Sequence, residues 1–442
     1  MRKSTFFRLL GVLLAVLLVG AVACTDGDDG AKETPSGTTP SATTAPEGEA
    51  PGVSATEVKL GTHTSITGPI AAYNVIPRFT LAYLNHINDT EGGVNGRTIT
   101  YIQKDDQYSP AQAVDLTRQL VEQDNVFALF NALGTPNHLQ VIDYLQEEGV
   151  PDMFVATGAT EWVKDPTARP FVFGSNPNYQ GEGLALGRWI LDNMGADAQV
   201  GVIYQNDDFG LDGLAGIKIA IGDNVVGEEP YEVTAPDLNS QVDQLRSAGS
   251  DVVVMFATPL LLASGVKHAR MDLGWDVQFA ISAVSMNELT ALIAGAENIE
   301  GTVGPVATYM AQHTDHPGIA THLEVLSGTD ISGSGSVLTL YAQYVAELMV
   351  ETLRRAEEPL TRASLVAAAE SLEEWQCSVC LFPLTLGPDD HDPAQAVAMG
   401  VFQGGLVRIT STAYSWEGVS VADLSLDTLE TIEVPADAVN AQ

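Results

Sequence analysis

Basic residues are scarce in this chain. Its 442 residues hold 20 Lys and Arg against 57 Asp and Glu, a formal net charge of −37 at pH 7. A surface of that sign repels phosphate backbones and anionic headgroups, which excludes nucleic acid and acidic lipid surfaces as partners. Solubility outside the cell is the plainer use of such a charge, and salt-tolerant organisms favour it too. Cysteine is equally scarce, with Cys24, Cys377 and Cys380 alone. Three thiols allow one pair at most, and Cys377 and Cys380 are close enough to form it in an oxidising compartment. Long apolar runs are missing as well. The run from Leu9 to Ala23 is too short to span a bilayer comfortably, and behind Arg2, Lys3 and Arg8 it reads as a secretory signal.

Motifs that carry chemistry are also lacking. There is no G-x-x-x-x-G-K-[ST], no G-x-G-x-x-G after a strand, no G-x-S-x-G and no H-E-x-x-H. No cofactor and no metal are therefore expected. His313, His316 and His322 with Asp315 lie in a polar stretch punctuated by Gly and Pro, at a spacing that matches no usual site; they read as a solvated loop. Cys377-Ser378-Val379-Cys380 follows a helical stretch, Arg362–Glu374, late in the chain. That is the wrong place for a thioredoxin-type redox pair, so the two thiols read as a structural staple. Asp105-Asp106 and Asp207-Asp208 read as caps or solvated loop residues. A hydrolase built on Thr135, or on a Ser, with His138 would need an orienting acid and an oxyanion donor, and the sequence assigns neither.

What is present begins with Ala21-Val22-Ala23-Cys24. Small residues before a Cys resemble a bacterial lipobox, in which Cys24 takes the lipid and becomes the mature N-terminus. Ala-x-Ala also suits ordinary signal peptidase, which would leave a soluble protein. From residue 25 to 55 the chain is Gly, Ser, Thr, Pro, Ala and acid, too poor in large apolar groups to offset its ordering entropy, and so a tether. The rest is long enough for two domains.

Short β-branched runs then alternate with helical patterns. Strands are expected at 58–62, 98–104, 126–130, 152–156, 199–204, 251–256 and 277–281. One helix is expected around Phe79, Ala82, Tyr83, His86 and Ile87, and another after Ser109-Pro110, with Ala113, Leu116 and Leu120 on one side. Nearly continuous apolar strands between helices imply parallel sheets covered on both faces. The alternation breaks near Pro177 and Tyr309. The fold class that follows is α/β, with two doubly wound lobes, several chain crossings and a ligand cleft between them. Lobe I is expected to hold residues 56–177 and 309–385, and lobe II residues 178–308 and 386–442. The tail from Val419 is acidic and without an assigned role.

Several segments in order resemble the branched-chain amino-acid binding proteins of ABC importers, the type I periplasmic-binding fold. They are Thr64-Ser65-Ile66-Thr67-Gly68-Pro69 with Tyr73, Ile87-Asn88 with Glu91-Gly92-Gly93-Val94-Asn95-Gly96-Arg97, and Asp105-Asp106-Gln107-Tyr108-Ser109-Pro110. Further on come Leu133-Gly134-Thr135-Pro136-Asn137, Phe154–Ala159, Pro177–Gln180 and Asp207-Asp208-Phe209-Gly210. The likeness covers 57 to about 305 and thins beyond 310. It implies a binding protein with no catalysis, whose ligand carboxylate is held by Gly134 and Thr135 and by the loop Ala156, Thr157, Gly158 and Thr160. Tyr73 and Phe209 would wall the pocket, and Thr258 and Ser285 would close over it from lobe II. It further implies an ABC permease and its cytoplasmic ATPase as partners, a monomer, and an exported protein lipid-anchored on the outer face of the cytoplasmic membrane, or periplasmic. A ligand sensor of the same fold, uncoupled from transport, is the other reading. One departure stands out: the family holds the ligand ammonium with acids near positions 177 and 283, which are Pro and Ala here. Either Glu182, Asp207 or Asp208 substitutes, or the ligand has no amino group.

Overall fold

The computed structural model describes residues 50–331 and 336–439. The secretory segment, Cys24 and the tether as far as residue 49 lie outside the described residues. The last tether residues dock on the folded part: Val53 is buried and bridges to Val58, and the Ala50 N–H donates to Leu360 O.

The first lobe is a wholly parallel five-stranded sheet in the order β2-β1-β3-β4-β5. Its strands are β1 (Glu57–Thr64), β2 (Thr98–Asp105), β3 (Ala128–Phe130), β4 (Asp152–Val155) and β5 (Val172–Gly174), joined through helices α1 (Val75–Glu91), α2 (Pro110–Glu122), α3 (Thr135–His138) and α4 (Ile142–Glu147). In α1, Ile76, Phe79, Thr80, Tyr83, Leu84 and Ile87 are buried, the i, i+3, i+4 stripe that its pattern predicts. Gly92 in the left-handed conformation ends the helix. Asn95 and Gly96 then both take positive φ in the turn that bonds Val94 to Arg97. α3 starts at Thr135, directly after Gly134, and lasts one turn.

After β5 the chain crosses to the second lobe through α5 (Tyr179–Met194). There follow β6 (Val200–Gln205), α6 (Asp208–Ile221), β7 (Val225–Tyr231), α7 (Asn239–Ala248), β8 (Val252–Phe256), α8 (Pro259–Lys267), β9 (Gln278–Ile281), α9 (Glu288–Ala294), α10 (Ala296–Ile299) and β10 (Val303–Val306). All five residues of β8 are buried, as a central strand covered on both faces requires. The chain then returns to the first lobe as α11 (Pro317–Ser327), α12 (Val337–Arg355) and α13 (Arg362–Ala369), with α12 packed along α1. A third crossing leads to β11 (Ala396–Gln403), β12 (Leu406–Ser415), β13 (Glu430–Ile432) and α14 (Ala436–Val439).

The second sheet runs β13-β12-β11-β10-β9-β8-β6-β7. It is parallel from β7 to β10 and antiparallel from β10 to β13, so the expectation of purely parallel sheets fails in this half. The acidic tail supplies the edge strand β13, and its Ala438 carbonyl accepts from His313 Nε2 at 2.7 Å.

That bond corrects the solvated histidine loop. His313 is buried, and His322 lies on α11, fully buried, bonded to Thr339 and Gln343 at 3.0 Å each. Burial lowers His322 to about 4, so it stays neutral at ordinary pH. Asp106 lies in the loop after β2 and caps it by accepting from the Tyr108 N–H, but it is not solvated: it is fully buried, accepts also from Ser65 and Asn137, and pairs with His63 at 2.8 Å. Cys377 and Cys380 form a disulfide. Among the described residues no group of three side chains could hold a metal, and no helix is long and apolar enough to cross a membrane.

Candidate functional site

The lobes enclose a cavity of about 1100 Å³ of empty space, its opening included. Seven of the ten expected ligand residues line it: Tyr73, Gly134, Thr135, Ala156, Thr157, Phe209 and Thr258. Local structure explains how the first lobe presents its share. β3 and β4 are adjacent and parallel, so the loops after them emerge side by side. Thr135 and Thr157 therefore meet, their hydroxyls sharing a hydrogen bond at 2.5 Å. Gly134 has φ +114, and a Cβ there would lie 2.7 Å from the Tyr108 ring, so the loop accepts nothing larger. Beneath the loop, Asn137 donates to Asp106 at 2.8 Å and His138 pairs with Asp152 at 2.6 Å. His138 has thus found an acid, but both residues are buried below the loop and off the cavity wall.

Three expected residues do not line the cavity. The Thr160 N–H and hydroxyl both donate to Asp212 on α6, at 2.7 and 3.0 Å, which ties the two lobes together. Ser285 spends its hydroxyl on the Ala257 carbonyl at 2.5 Å. Gly158 packs against Pro177 and Tyr179, where a Cβ would come within 2.3 Å of the Pro177 carbonyl.

Of the rest of the wall, the sequence pointed to Glu182 but not to the other tyrosines. Tyr108 and Tyr179 come from loop and helix positions inside recognised motifs, while Tyr341 and Tyr344 come from α12, beyond the likeness. Their i, i+3 spacing with Leu338 was the available signal. Tyr341 is bonded to Asn131 and Ser175 at 2.8 and 2.7 Å, and burial pushes its hydroxyl up to about 12. Tyr73 spans the cleft and donates to the Val284 carbonyl at 3.1 Å.

Among the described residues charge on the wall is confined to Glu182, and none of the lining residues is Lys or Arg. Glu182 sits in the first turn of α5, 1% exposed, and accepts from the Ala283 N–H at 2.9 Å. Burial pushes its carboxyl up to about 7, against smaller opposing effects from Ser282 and the Ala283 N–H. Glu182 thus lies beside position 283, where the family resemblance implied an acid, and bonds the backbone of that residue. Asp207 instead caps α6, accepting from Phe209 N–H, and neither it nor Asp208 is on the wall.

A family model described as a periplasmic binding protein matches residues 57–405. Leu/Ile/Val-binding protein homolog 3 of Brucella melitensis is 25% identical over 294 residues, covering 65% of this chain and 76% of that protein. Among solved structures, a branched chain amino acid ABC transporter from Thermus thermophilus with bound valine gives a TM-score of 0.74 at 20% identity, over 81% of this chain and 96% of that one. A fatty acid ABC transporter substrate-binding protein from Thermomonospora curvata gives 0.73 at 22% identity, over 89% and 100%. Two α/β lobes, a cleft between them and a match across most of the sequence agree: the chain belongs to the periplasmic binding protein family, with the type I fold.

Proposed function

We propose that the protein captures a small, largely apolar zwitterion, an amino acid of the branched-chain kind, and delivers it to an ABC permease. One observation carries the reading. A paired hydroxyl site on the first lobe, Thr135 and Thr157, opens into the same cavity as a single buried carboxyl on the second, Glu182, and the other walls are mostly aliphatic and aromatic. Hydroxyls and loop N–H groups suit a carboxylate. A buried carboxyl without a cation suits an ammonium, whose own burial would otherwise cost several kcal/mol. The delivery step and an anchor at Cys24 belong to the same proposal, which puts the protein outside the cytoplasmic membrane.

A second reading, a carboxylate without an amino group, draws on a specific fact: Glu182 already has the Ala283 N–H and is raised to about 7, so a neutral acid is accessible to it. The pH dependence of affinity separates the two. An ammonium favours ionised Glu182, so leucine binding is full above pH 7 and falls below it, by up to tenfold per unit. An amine-free acid such as 4-methylpentanoate favours the protonated form, so its binding weakens as pH rises through 7. Glu182→Gln flattens either profile. Calorimetric titrations from pH 5.5 to 8.5 decide, and leucine affinity that is level or stronger toward acid would rule out the zwitterion.

A further inference from the structure

The carboxyl of Glu182 sits among rings. Tyr179 lies one turn before it on the same face of α5, and the Phe209 ring packs against that of Tyr179 with 4.7 Å between centroids. Tyr73 reaches across from the first lobe. Its hydroxyl donates to the Val284 carbonyl, one residue from the Ala283 N–H that Glu182 accepts. Tyr108 lines the same cavity, and burial, followed by the charge of Asp207 behind the wall, raises its hydroxyl well above the ordinary range.

The hydroxyls of these tyrosines are engaged with protein. Tyr73 bonds Val284, Tyr179 accepts from Thr157 at 3.4 Å, and Tyr108 accepts from Gln205 at 3.4 Å. What the three residues add to the wall, with Phe209, is ring surface around one carboxyl.

We propose that the cation paired with Glu182 is an N-methylated ammonium, so that the protein prefers betaine-type zwitterions, amino acids methylated at nitrogen, to their primary parents. The proposal rests on the zwitterion reading of the cleft and narrows it to one class of amine. A primary ammonium carries three N–H donors that diverge from the nitrogen, and one carboxyl already shared with the Ala283 N–H cannot meet them all. A donor left unmet in a buried site is costly. Methylation removes donors and spreads the charge over methyl groups, the surface that aromatic faces attract once water is excluded. The lining residues include no Lys or Arg, so the only cation the wall can gain is the ligand's.

Methylation at constant side chain tests this. Calorimetry on the full-length protein at pH 8 would compare leucine, N-methylleucine, N,N-dimethylleucine and N,N,N-trimethylleucine, with 4-methylpentanoate beside them. Affinity should rise along the series, the trimethyl form binding about tenfold or more tightly than leucine. Phe209→Leu keeps apolar bulk and removes a ring; it should cut that preference to about threefold or less, whatever it does to leucine itself. Tyr179→Leu should do the same, and serves if Phe209→Leu does not fold. If leucine binds and methylation weakens binding or leaves it level, the proposal is refuted while the zwitterion reading stands. If the ring variants lower leucine and trimethylleucine equally, the rings do not read the methyl groups and the proposal is also refuted. If only 4-methylpentanoate binds, the zwitterion reading fails and takes the proposal with it. If nothing in the set binds, the cleft reading itself fails.

Discussion

Asp392 is buried at the junction of the first and third crossings, where it accepts from Asn178 at 2.6 Å. Desolvation raises its carboxyl to about 8, and the neighbouring Asp390 adds to the effect. Its folded-state value therefore lies far above its ordinary one of 3.8. For an acid shifted this way, the stability tied to the protonated form is complete below about pH 4 and is lost as pH rises through 8. Asp392→Asn keeps an oxygen for Asn178 and removes the titration. Relative to the wild type, the variant should gain melting temperature from pH 5 to pH 8 and then level off, a gain worth at least about 1 kcal/mol. A difference that stays constant over that range would refute the assignment. Side chains of this kind are illegible in sequence, because the shift comes from burial by distant segments, and even the hydrogen-bond partner Asn178 is 214 positions away. The same holds for Thr160. A hydroxyl just after a strand looks alike whether it faces a ligand or, as here, Asp212 in the opposite lobe. Thr135 and Thr157 were legible through the family motifs that contain them, and the pairing of β3 with β4 puts their loops side by side.

Strands that are continuous and apolar announced themselves: all seven expected runs overlap strands. Some that went unread are short, as β5 and β10 with three and four residues, or half-exposed at a sheet edge, as β7; β11 and β12, of eight and ten residues, are neither. The β11–β12 hairpin did leave a mark, since Gly404 and Gly405 at its turn both have positive φ, the favoured chemistry for a two-residue connection. Helix contact carried a subtler signal. α5 and α6 pack so closely that a Cβ on Gly216 would fall 2.0 Å from the Gln180 carbonyl, and one on Gly183 would fall 2.3 Å from that of Gly213. Backbone faces backbone there, with no flexible side chain to yield. Gly216→Ala, favourable by helix propensity alone, should instead destabilise by about 1–3 kcal/mol through overpacking. Urea denaturation measures it, and a neutral or stabilising result would mean the helices can separate at little cost. α5 carries Glu182 and α6 carries Phe209, so the same variant tests whether this contact holds the second lobe's half of the site.

At the scale of the whole molecule, binding is the sum of what the ligand touches and what closure itself forms. Between the lobes run the bonds from Tyr73 to Val284, from Thr160 to Asp212, from Gln205 to the Tyr108 hydroxyl at 3.4 Å and from the Val337 N–H to Glu288 at 3.1 Å. Contacts of this kind set the population of the closed form and so scale the apparent affinity, even where, as at Thr160 and Asp212, neither residue lines the cavity. The Thr160–Asp212 contact should weigh most, since its acceptor is an acid receiving two donors. Burial raises Asp212 to about 6, which leaves it mostly ionised at neutral pH. Thr160→Val keeps the backbone donor and the shape but loses the hydroxyl. If the unliganded protein rests open, that bond is absent from it, so unliganded stability should change by less than about 0.5 kcal/mol. Ligand affinity should fall about three- to tenfold, nearly all of it as faster dissociation, because the bond forms after encounter and holds the closed state. Stopped-flow dissociation beside thermal melts of the free protein separates these effects. An unchanged off-rate would show that closure does not depend on this tie, and an equal loss of unliganded stability would show that the lobes are already closed without ligand.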